Sequence, residues 1–310
     1  MKKIITITLN PAFDLHYAMD EFRAGKENYV KSSTCDAGGK GINISRALLS
    51  NDVDNTAFVI LGDENGAAFE QGLIRDGVKY TPLHTQGRIR ENITIHPASG
   101  AETRISLDNF SLTDKTLTDL GVMLEMAVDE DTIIAFSGRN PKGVTKQDVM
   151  AFLKRLKDKG AKIAVDSNSF TPDDLMLIHP WFIKPNEQEI AAFLGREIND
   201  VEDAAARAKE LVERGVAEEV MISMGGLGSA WSDGKRTLIV SVPKIENPVS
   251  TIGAGDSTVA GYIAATAKGY SKEDSLRLAC AFGTSACMTE GTRPPMADDV
   301  KKVYDKVAVK

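Results

Sequence analysis

The sequence predicts an α/β protein with a mostly parallel β-sheet that helices cover on both faces. Two observations carry this prediction. Short apolar, β-branched runs alternate with segments of helical periodicity along most of the 310 residues, and such alternation favours a parallel sheet between helical layers. Between residues 78 and 107 the pattern changes to short β runs alone, which predicts a small sheet outside the main body.

The elements of the main body follow from hydrophobic periodicity and from turn residues. The first strand ends at Asn10-Pro11, because proline has no N–H group to donate to a neighbouring strand. The predicted strands are residues 4–9, 57–61, 132–136, 162–165, 181–183 and 220–224. The predicted helices are residues 42–50, 64–76, 146–159, 187–194, 201–214, 257–268, 271–288 and 298–307.

The small sheet is predicted from a hairpin. Two β runs, at residues 93–96 and 103–107, flank the loop segment PASGAE at 97–102. We expect residues 13–30 to join this hairpin.

Composition and charge exclude several classes of protein. Hydrophobic residues make up 42% and charged residues 26%, as in ordinary globular proteins. A net charge of −7 gives no electrostatic support for binding nucleic acid, and no run approaches the roughly 20 apolar residues of a membrane span. The three cysteines lack zinc-site spacing and the N-terminus is typical of a strand, not of a signal peptide, so we expect a cytoplasmic protein with reduced thiols.

The sharpest functional signal is a glycine-rich turn before a predicted helix, the segment TIGAGDS at residues 251–257. The small residues Gly253, Ala254 and Gly255 let backbone N–H groups approach a ligand, and the helix adds the positive end of its dipole. This arrangement suits a phosphoryl group whose charge changes during a reaction, with Asp256 beside it as a base. The alternative is an ordinary loop in which Asp256 caps the helix.

A second glycine-rich segment lies near the N-terminus, with the sequence DAGGKGIN at residues 36–43. It matches neither a dinucleotide-binding fingerprint nor a P-loop. The backbone of Gly38 and Gly39, followed by Asn43 one turn into a helix, could hold sugar hydroxyls, because asparagine both donates and accepts hydrogen bonds. The alternative is a loop that only starts a helix.

A third segment follows a predicted strand and reads IKPNEQE at residues 183–189. Asn186 and Glu189 have the spacing of a capping box, which is one interpretation. The functional interpretation places both side chains near a hydrated Mg²⁺, since magnesium keeps several waters and takes few protein ligands.

Together with TLNPAFD at residues 8–14, these segments resemble the ribokinase-like (PfkB) sugar kinases, and the resemblance covers nearly the whole chain. The segments TITLNPA at 6–12, GKGIN at 39–43 and VSTI at 249–252 resemble the 1-phosphofructokinase branch, which includes tagatose-6-phosphate kinases. The resemblance implies one domain over 1–310, with a doubly wound sheet and a small β-sheet lid made by about 13–30 and 78–107. It also implies ATP as co-substrate, Mg²⁺, a sugar-phosphate substrate and a homodimer formed through the lid.

The resemblance assigns roles to individual residues. Asp256 is the base, and Gly253, Ala254 and Gly255 surround the transferred phosphoryl group. The sugar-binding residues are Asp14, Gly38, Gly39 and Asn43. The metal-organising residues are Asn186, Glu189 and Asp166, and the nucleotide-binding residues are Lys184, Ser223, Gly225, Gly226 and Gly228.

A phosphorylated sugar needs a second anion site beside ATP. The candidates in lid and loop positions are Lys26, Arg90, Arg104 and Ser137. The resemblance favours Arg90, whose guanidinium can hold a phosphate through two parallel hydrogen bonds. The alternative for each charged candidate is a solvated surface position, which we prefer for Arg88. The segment SGRNP at 137–141 departs from the Ser-Gly-Ser-Leu-Pro that many members carry.

The expected reaction transfers the γ-phosphoryl group of ATP to O6 of fructose 1-phosphate. With an ordinary carboxyl pKa of about 3.9, Asp256 would be ionised at neutral pH and would accept the proton of the attacking hydroxyl. A closing lid would exclude water. Two alternatives remain: the same chemistry on tagatose 6-phosphate, fructose 6-phosphate or an unphosphorylated sugar, or a non-catalytic sugar-responsive binding protein, which would have no need of a base at Asp256.

Overall fold

The computed structural model describes residues 2–98, 101–108 and 110–310. The tip of the predicted hairpin loop, at 99–100, lies outside the described residues. The strands are β1 (Lys3–Thr8), β2 (Ala12–Met19), β3 (Ser32–Gly38), β4 (Thr56–Gly62), β5 (Tyr80–Thr85), β6 (Arg90–Pro97), β7 (Thr103–Ser106), β8 (Thr132–Ser137), β9 (Lys162–Asp166), β10 (Phe182–Ile183), β11 (Glu219–Ser223), β12 (Ser229–Ser232), β13 (Thr237–Ser241) and β14 (Ala308–Val309). The helices are α1 (Lys40–Leu49), α2 (Gly66–Arg75), α3 (Asp114–Ala127), α4 (Lys146–Asp158), α5 (Pro172–Ile178), α6 (Glu187–Leu194), α7 (Val201–Glu213), α8 (Ala254–Lys268), α9 (Lys272–Ala286) and α10 (Ala297–Tyr304).

The large sheet has the order β14-β13-β12-β11-β10-β9-β8-β1-β4-β5. The strands from β11 to β5 run parallel, and β12, β13 and β14 add an antiparallel edge. In β8, Ile134 and Phe136 enter one hydrophobic core while Ile133 and Ala135 enter the other. Because successive side chains of a strand point to opposite faces, helices cover this sheet on both sides. The predicted doubly wound α/β class is confirmed.

The small sheet has the order β3-β2-β6-β7, with β2 and β6 parallel and the outer pairs antiparallel. It is attached to the main body where Phe13 packs edge-on against Phe69 of α2, with ring centroids 5.3 Å apart. The β6–β7 pair is the hairpin that the sequence predicts.

The predicted segments of the small sheet need two corrections. Residues 80–85 form β5, which pairs with β4 at the edge of the large sheet, although they fall within the predicted lid segment 78–107. The structure instead places Ser32–Gly38 in the small sheet, and residues 20–31 form a connecting loop. Periodicity missed β3 because its residues are small, polar and mostly exposed.

Other elements were missed by the sequence analysis for similar reasons. Helices α3 and α5 and strands β12 to β14 were not predicted, because their apolar runs are short or broken by charged residues. In the part of the chain that is described, no helix is both long enough and apolar enough to span a lipid bilayer.

Candidate active site

A cleft of ≈ 630 Å³ opens between the small sheet and the carboxyl ends of the parallel strands. This is the edge of an open α/β sheet where ligands generally bind. Its lining combines both sheets with the starts of three helices, α1, α6 and α8. It includes Asn10, Asp14, Gly39, Lys40, Asn43, Arg90, Asn92, Arg104, Gly138, Arg139, Asp166, Lys184, Asn186, Glu189, Gly253, Gly255, Asp256 and Thr292. Most of the residues singled out in the sequence therefore meet in one place.

The glycine-rich turn is the beginning of α8. Gly253 is the residue before the first helical position and has φ = 78°, a left-handed conformation that glycine adopts without strain. The helix starts at Ala254, three residues earlier than predicted, so Asp256 lies inside its first turn. The interpretation of Asp256 as the helix cap is therefore wrong. The first turn of any helix leaves backbone N–H groups without helical acceptors, and here that turn borders the cleft.

Asp256 is a buried carboxylate that is only 6% exposed. The side-chain amide of Asn43, on α1, donates a hydrogen bond of 2.9 Å to its Oδ2. Burial raises the pKa of Asp256 to about 6, against the opposing effects of Lys40 and Asn43. The sequence analysis expected an ordinary acidity; the structure gives a weaker acid that is still mostly ionised at pH 7.

Two lysines hold Asp166 at the end of β9. Lys40 Nζ lies 3.0 Å from Asp166 Oδ2, and Lys184 Nζ lies 3.8 Å from Oδ1. Burial alone would raise the pKa of Asp166, but the two ammonium groups outweigh it and lower that pKa, while Asp166 in turn raises the pKa of Lys40. Lys40 was not singled out by the sequence analysis, although it lies within the segment at 36–43. Lys40 and Asp166 are 126 positions apart in the chain, so the sequence did not indicate that they form an ion pair.

Asp14 lies on the small-sheet side of the cleft and accepts a 2.9 Å hydrogen bond from Asn92 Nδ2. Burial raises the pKa of Asp14. Gly38 packs directly against it, since a Cβ at position 38 would lie 2.1 Å from Asp14 Oδ2. The sequence analysis assigned no role to Asn92.

The four anion-site candidates lie in different places. Arg90, at the start of β6, and Arg104, on β7, line the cleft. Arg104 is bonded to Glu102, with both Nε and Nη2 2.7 Å from Oε1. Ser137 is buried beneath the cleft and Lys26 lies on the exposed loop between β2 and β3, so the structure brings neither into the lining.

Asn186 and Glu189 form the capping box of α6. Asn186 Oδ1 accepts from Glu189 N at 2.8 Å, and Glu189 Oε2 accepts from Asn186 N at 3.0 Å. Both residues also line the cleft, and the capping hydrogen bond of Glu189 uses its Oε2. In the part of the chain that is described, no three His, Cys, Asp or Glu side chains cluster as a metal site. A magnesium ion bound mainly through water and phosphate fits this arrangement.

The predicted nucleotide residues follow two neighbouring strands. Ser223 ends β11, and its N–H group donates to the carbonyl of Pro185 at 3.0 Å, beside Asn186. The turn that follows contains the remaining glycines, Gly225, Gly226 and Gly228. None of these four residues lines the cleft itself, whereas Lys184 does.

Comparison with known proteins agrees with this geometry. The family model of the pfkB family carbohydrate kinases matches residues 4–299. The chain is 32% identical to 1-phosphofructokinase of Haemophilus influenzae over 290 residues, covering 92% of this chain and 91% of that protein. It is 27% identical to the ATP-dependent 6-phosphofructokinase isozyme 2 of Escherichia coli, covering 98% of each.

Solved structures show the same likeness. The crystal structure of phosphofructokinase-2 from Escherichia coli in complex with potassium superposes with a TM-score of 0.91, at 26% identity and 99% coverage of both chains. The buried carboxylate at a helix start, the cleft and these matches all agree: the chain belongs to the pfkB family of carbohydrate kinases and is an ATP-dependent sugar kinase of the phosphofructokinase type.

Proposed function

We propose that this kinase phosphorylates fructose 1-phosphate at O6, giving fructose 1,6-bisphosphate and ADP. The observation that carries the proposal is the position of Asp256 in the first turn of α8, inside a cleft that also contains Arg90. A base beside a helix N-terminus suits the transferred phosphoryl group, and a guanidinium elsewhere in the same cleft suits a second phosphate. The 1-phosphofructokinase relatives support this choice of substrate.

The reaction forms a bond between O6 and the γ-phosphorus and breaks the bond between that phosphorus and the bridging oxygen of ADP. Asp256 orients the O6 hydroxyl and takes its proton as the bond forms. The backbone N–H groups of the α8 turn face the phosphoryl oxygens, where they offset charge in the transition state. Lys184 Nζ would lie 3.3 Å from a Cβ at Gly255, so its ammonium adds positive charge beneath this turn.

On the sugar side, we propose that Asp14 and Asn43 bind hydroxyl groups. Asn43 also fixes Asp256 through its hydrogen bond, so one residue ties the sugar to the base. Gly39 leaves this wall of the cleft without a side chain, and Gly38 leaves room for the Asp14 carboxylate. Lys40 is oriented by Asp166 and points a positive charge at the same region.

We propose that Asn186 and Glu189 organise Mg²⁺, with Ser223, Gly225, Gly226 and Gly228 beside the nucleotide. Bound magnesium would neutralise phosphate charge. A Glu189→Gln enzyme whose rate and Mg²⁺ titration match the wild type would return Glu189 to capping alone.

The two ammonium groups that contact Asp166 argue against the metal-binding role predicted for this residue. We propose instead that Asp166 holds Lys40 in place.

We also propose a homodimer formed through the small sheet. In and just after β7, Ile105 and Leu107 are 45% and 46% exposed, which is unfavourable for a lone chain. Light scattering that finds a monomer at working concentration would contradict the dimer. A cytoplasmic location likewise stays a prediction.

Fructose 6-phosphate is the second candidate substrate, and the high TM-score with phosphofructokinase-2 favours it. An ADP-release assay with fructose 1-phosphate, fructose 6-phosphate, tagatose 6-phosphate and fructose separates the possibilities. We expect the highest kcat/KM for fructose 1-phosphate. A higher value for a 6-phosphate would overturn the substrate and leave the kinase chemistry intact.

A further inference from the structure

We propose that Arg139 is a specificity-determining residue, which supplies the main-body half of the site for the substrate's own phosphate group. The inference rests on the proposed function, because it assumes a sugar that already carries a phosphate. Arg139 follows β8 on the main body and lines the cleft together with Arg90 of the small sheet. The two guanidinium groups would hold one phosphate from its two sides.

The backbone on both sides of Arg139 is fixed. Gly138 N–H donates to the carbonyl of Asp166 at 3.1 Å, and Asn140 N–H donates to Ser169 Oγ at 2.9 Å. Two residues further on, the carbonyl of Lys142 accepts from Leu112 N at 2.7 Å. The turn therefore presents Arg139 to the cleft from a rigid base, which limits the entropy lost when a ligand binds.

The charge of Arg139 is not neutralised by an acidic partner in the described part of the chain. Among residues 2–98, 101–108 and 110–310, its exposed side chain forms no ion pair. Asp108, an acid on the loop after β7, is bonded to Lys142 at 2.6 Å. Arg139 is also close enough to lower the pKa of Arg90, after the larger effect of burial. Two like charges facing one cleft are stabilised by a shared anion.

The other cations predicted for this role fit it less well. Arg104 is already held by Glu102, and Lys26 lies outside the cleft lining. Lys40 is held by Asp166, near the base rather than near Arg90. Arg139 is thus the cation best placed to act with Arg90.

A phosphate shared by Arg90 and Arg139 would also connect the small sheet to the main body. Arg90 is the first residue of β6 in the small sheet, whereas Arg139 follows the end of β8 in the large sheet. A sugar without a phosphate could not link Arg90 to Arg139 in this way. The chemical class selected is therefore a sugar with a phosphate that bridges the two sides of the cleft.

The test is Arg139→Ser, assayed at saturating ATP with fructose 1-phosphate and with fructose. We expect KM for fructose 1-phosphate to rise about 10- to 100-fold with kcat little changed, as for loss of a charge-assisted contact made equally in ground and transition states. Values of kcat/KM for fructose and of KM for ATP should stay within twofold. Arg139→Lys, which keeps the charge but loses the guanidinium fork, should lie between Arg139→Ser and the wild type.

Arg88→Ser is the matched control. Arg88 is another exposed arginine beside β6, but it is bonded to Glu91 at 2.9 Å and does not line the cleft, so all constants should stay unchanged. The double variant Arg90→Ala/Arg139→Ser should lose less than the product of the two single losses, because both residues bind one group.

The outcomes separate the two proposals. A wild type that prefers phosphorylated sugars, with an Arg139→Ser variant that keeps this preference, overturns the role of Arg139 alone. Equal losses for fructose and fructose 1-phosphate would mean that Arg139 shapes the cleft and binds no phosphate. A wild type without preference for phosphorylated sugars overturns the proposed substrate and this inference with it.

Discussion

The two sides of the cleft hold their charges in different ways. On the main-body side, Asp166, Lys184 and Asp256 are 5%, 4% and 6% exposed, and they interact across different elements of the fold. On the small-sheet side, the side chains of Arg104 and Glu102 are 56% and 37% exposed. Buried charges interact strongly and have few alternative arrangements, whereas exposed pairs contribute little and exchange partners easily.

This difference separates two tasks. The side that carries the proposed chemistry is preorganised, so its groups need little rearrangement during the reaction. The side that recognises the substrate contains charges that a ligand can recruit, including Arg104 after release from Glu102. We therefore expect changes to the buried charges of the main-body side to affect kcat. Changes to the less buried cations that border the cleft, Arg90 on the small sheet and Arg139 on the main body, should affect substrate preference.

The largest effect should come from Asp256→Asn. We expect kcat to fall about 10²- to 10⁴-fold, since the amide cannot accept the hydroxyl proton, with binding of sugar and ATP within a few-fold. Steady-state kinetics and calorimetric titration check the two parts. Asp158→Asn, at an exposed helical position away from the cleft, is the control. A variant with most of the wild-type kcat would remove Asp256 from the role of base.

Arg90→Ala should remove recognition of the substrate phosphate on the small-sheet side of the cleft. We expect kcat/KM for fructose 1-phosphate to fall by about 10- to 10³-fold, because a bidentate, charge-assisted contact is lost. The value for fructose should hardly change, since fructose never uses the site. Parallel loss for both sugars would instead assign Arg90 a structural role.

The pH profile should report the burial of Asp256. Since its pKa is raised to about 6, the protonated form accumulates below that pH and kcat/KM should fall about tenfold per pH unit on the acidic limb. Lys40 lowers this pKa, so Lys40→Gln should move the limb to higher pH. A wild-type limb centred near pH 4 would contradict the buried environment of the base.

The smallest effect concerns stability. A folded-state pKa above the unfolded value makes ionised Asp256 a cost to folding, absent below about pH 4 and complete above about pH 6. Asp256→Asn removes this cost and keeps an acceptor for Asn43. Urea unfolding should show the variant more stable by about 1–3 kcal/mol at pH 8 and equal to the wild type near pH 4. A gain that does not depend on pH would point to a cause other than ionisation.

The sequence predicted the parallel strands well because burial on both faces gives them nearly continuous apolar runs, as in β1 and β8. The prediction failed for β3, which is a strand because it pairs with β2 and not because its own side chains favour one. It also failed for β5, whose half-buried run of residues resembles the strands of the small sheet. It placed the start of α8 too late, because glycine and aspartate are weak helix formers even where they begin a helix.

The candidate site was predicted in part for a comparable reason. Asp256, Asn43 and Glu189 lie in compact segments whose residue types indicate a task. Lys40, Asn92 and Arg139 gain their importance from partners that only the fold supplies: Lys40 and Asp166 are 126 positions apart, and Asn92 and Asp14 are 78 apart. Residue type and local spacing in the sequence do not indicate pairs that are so far apart in the chain.

The register between β2 and β6 has a consequence for how such a kinase can change. Ala12 pairs with Arg90 and Asp14 with Asn92, so Arg90 and Asn92 lie on the same face of β6, and both line the cleft. A one-residue shift in the register of β6 against β2 would turn Arg90 and Asn92 to the far side of the small sheet together. Replacement of single side chains can therefore change substrate preference without disturbing the sheet, whereas an insertion or deletion is tolerated more easily in a loop, such as residues 20–31.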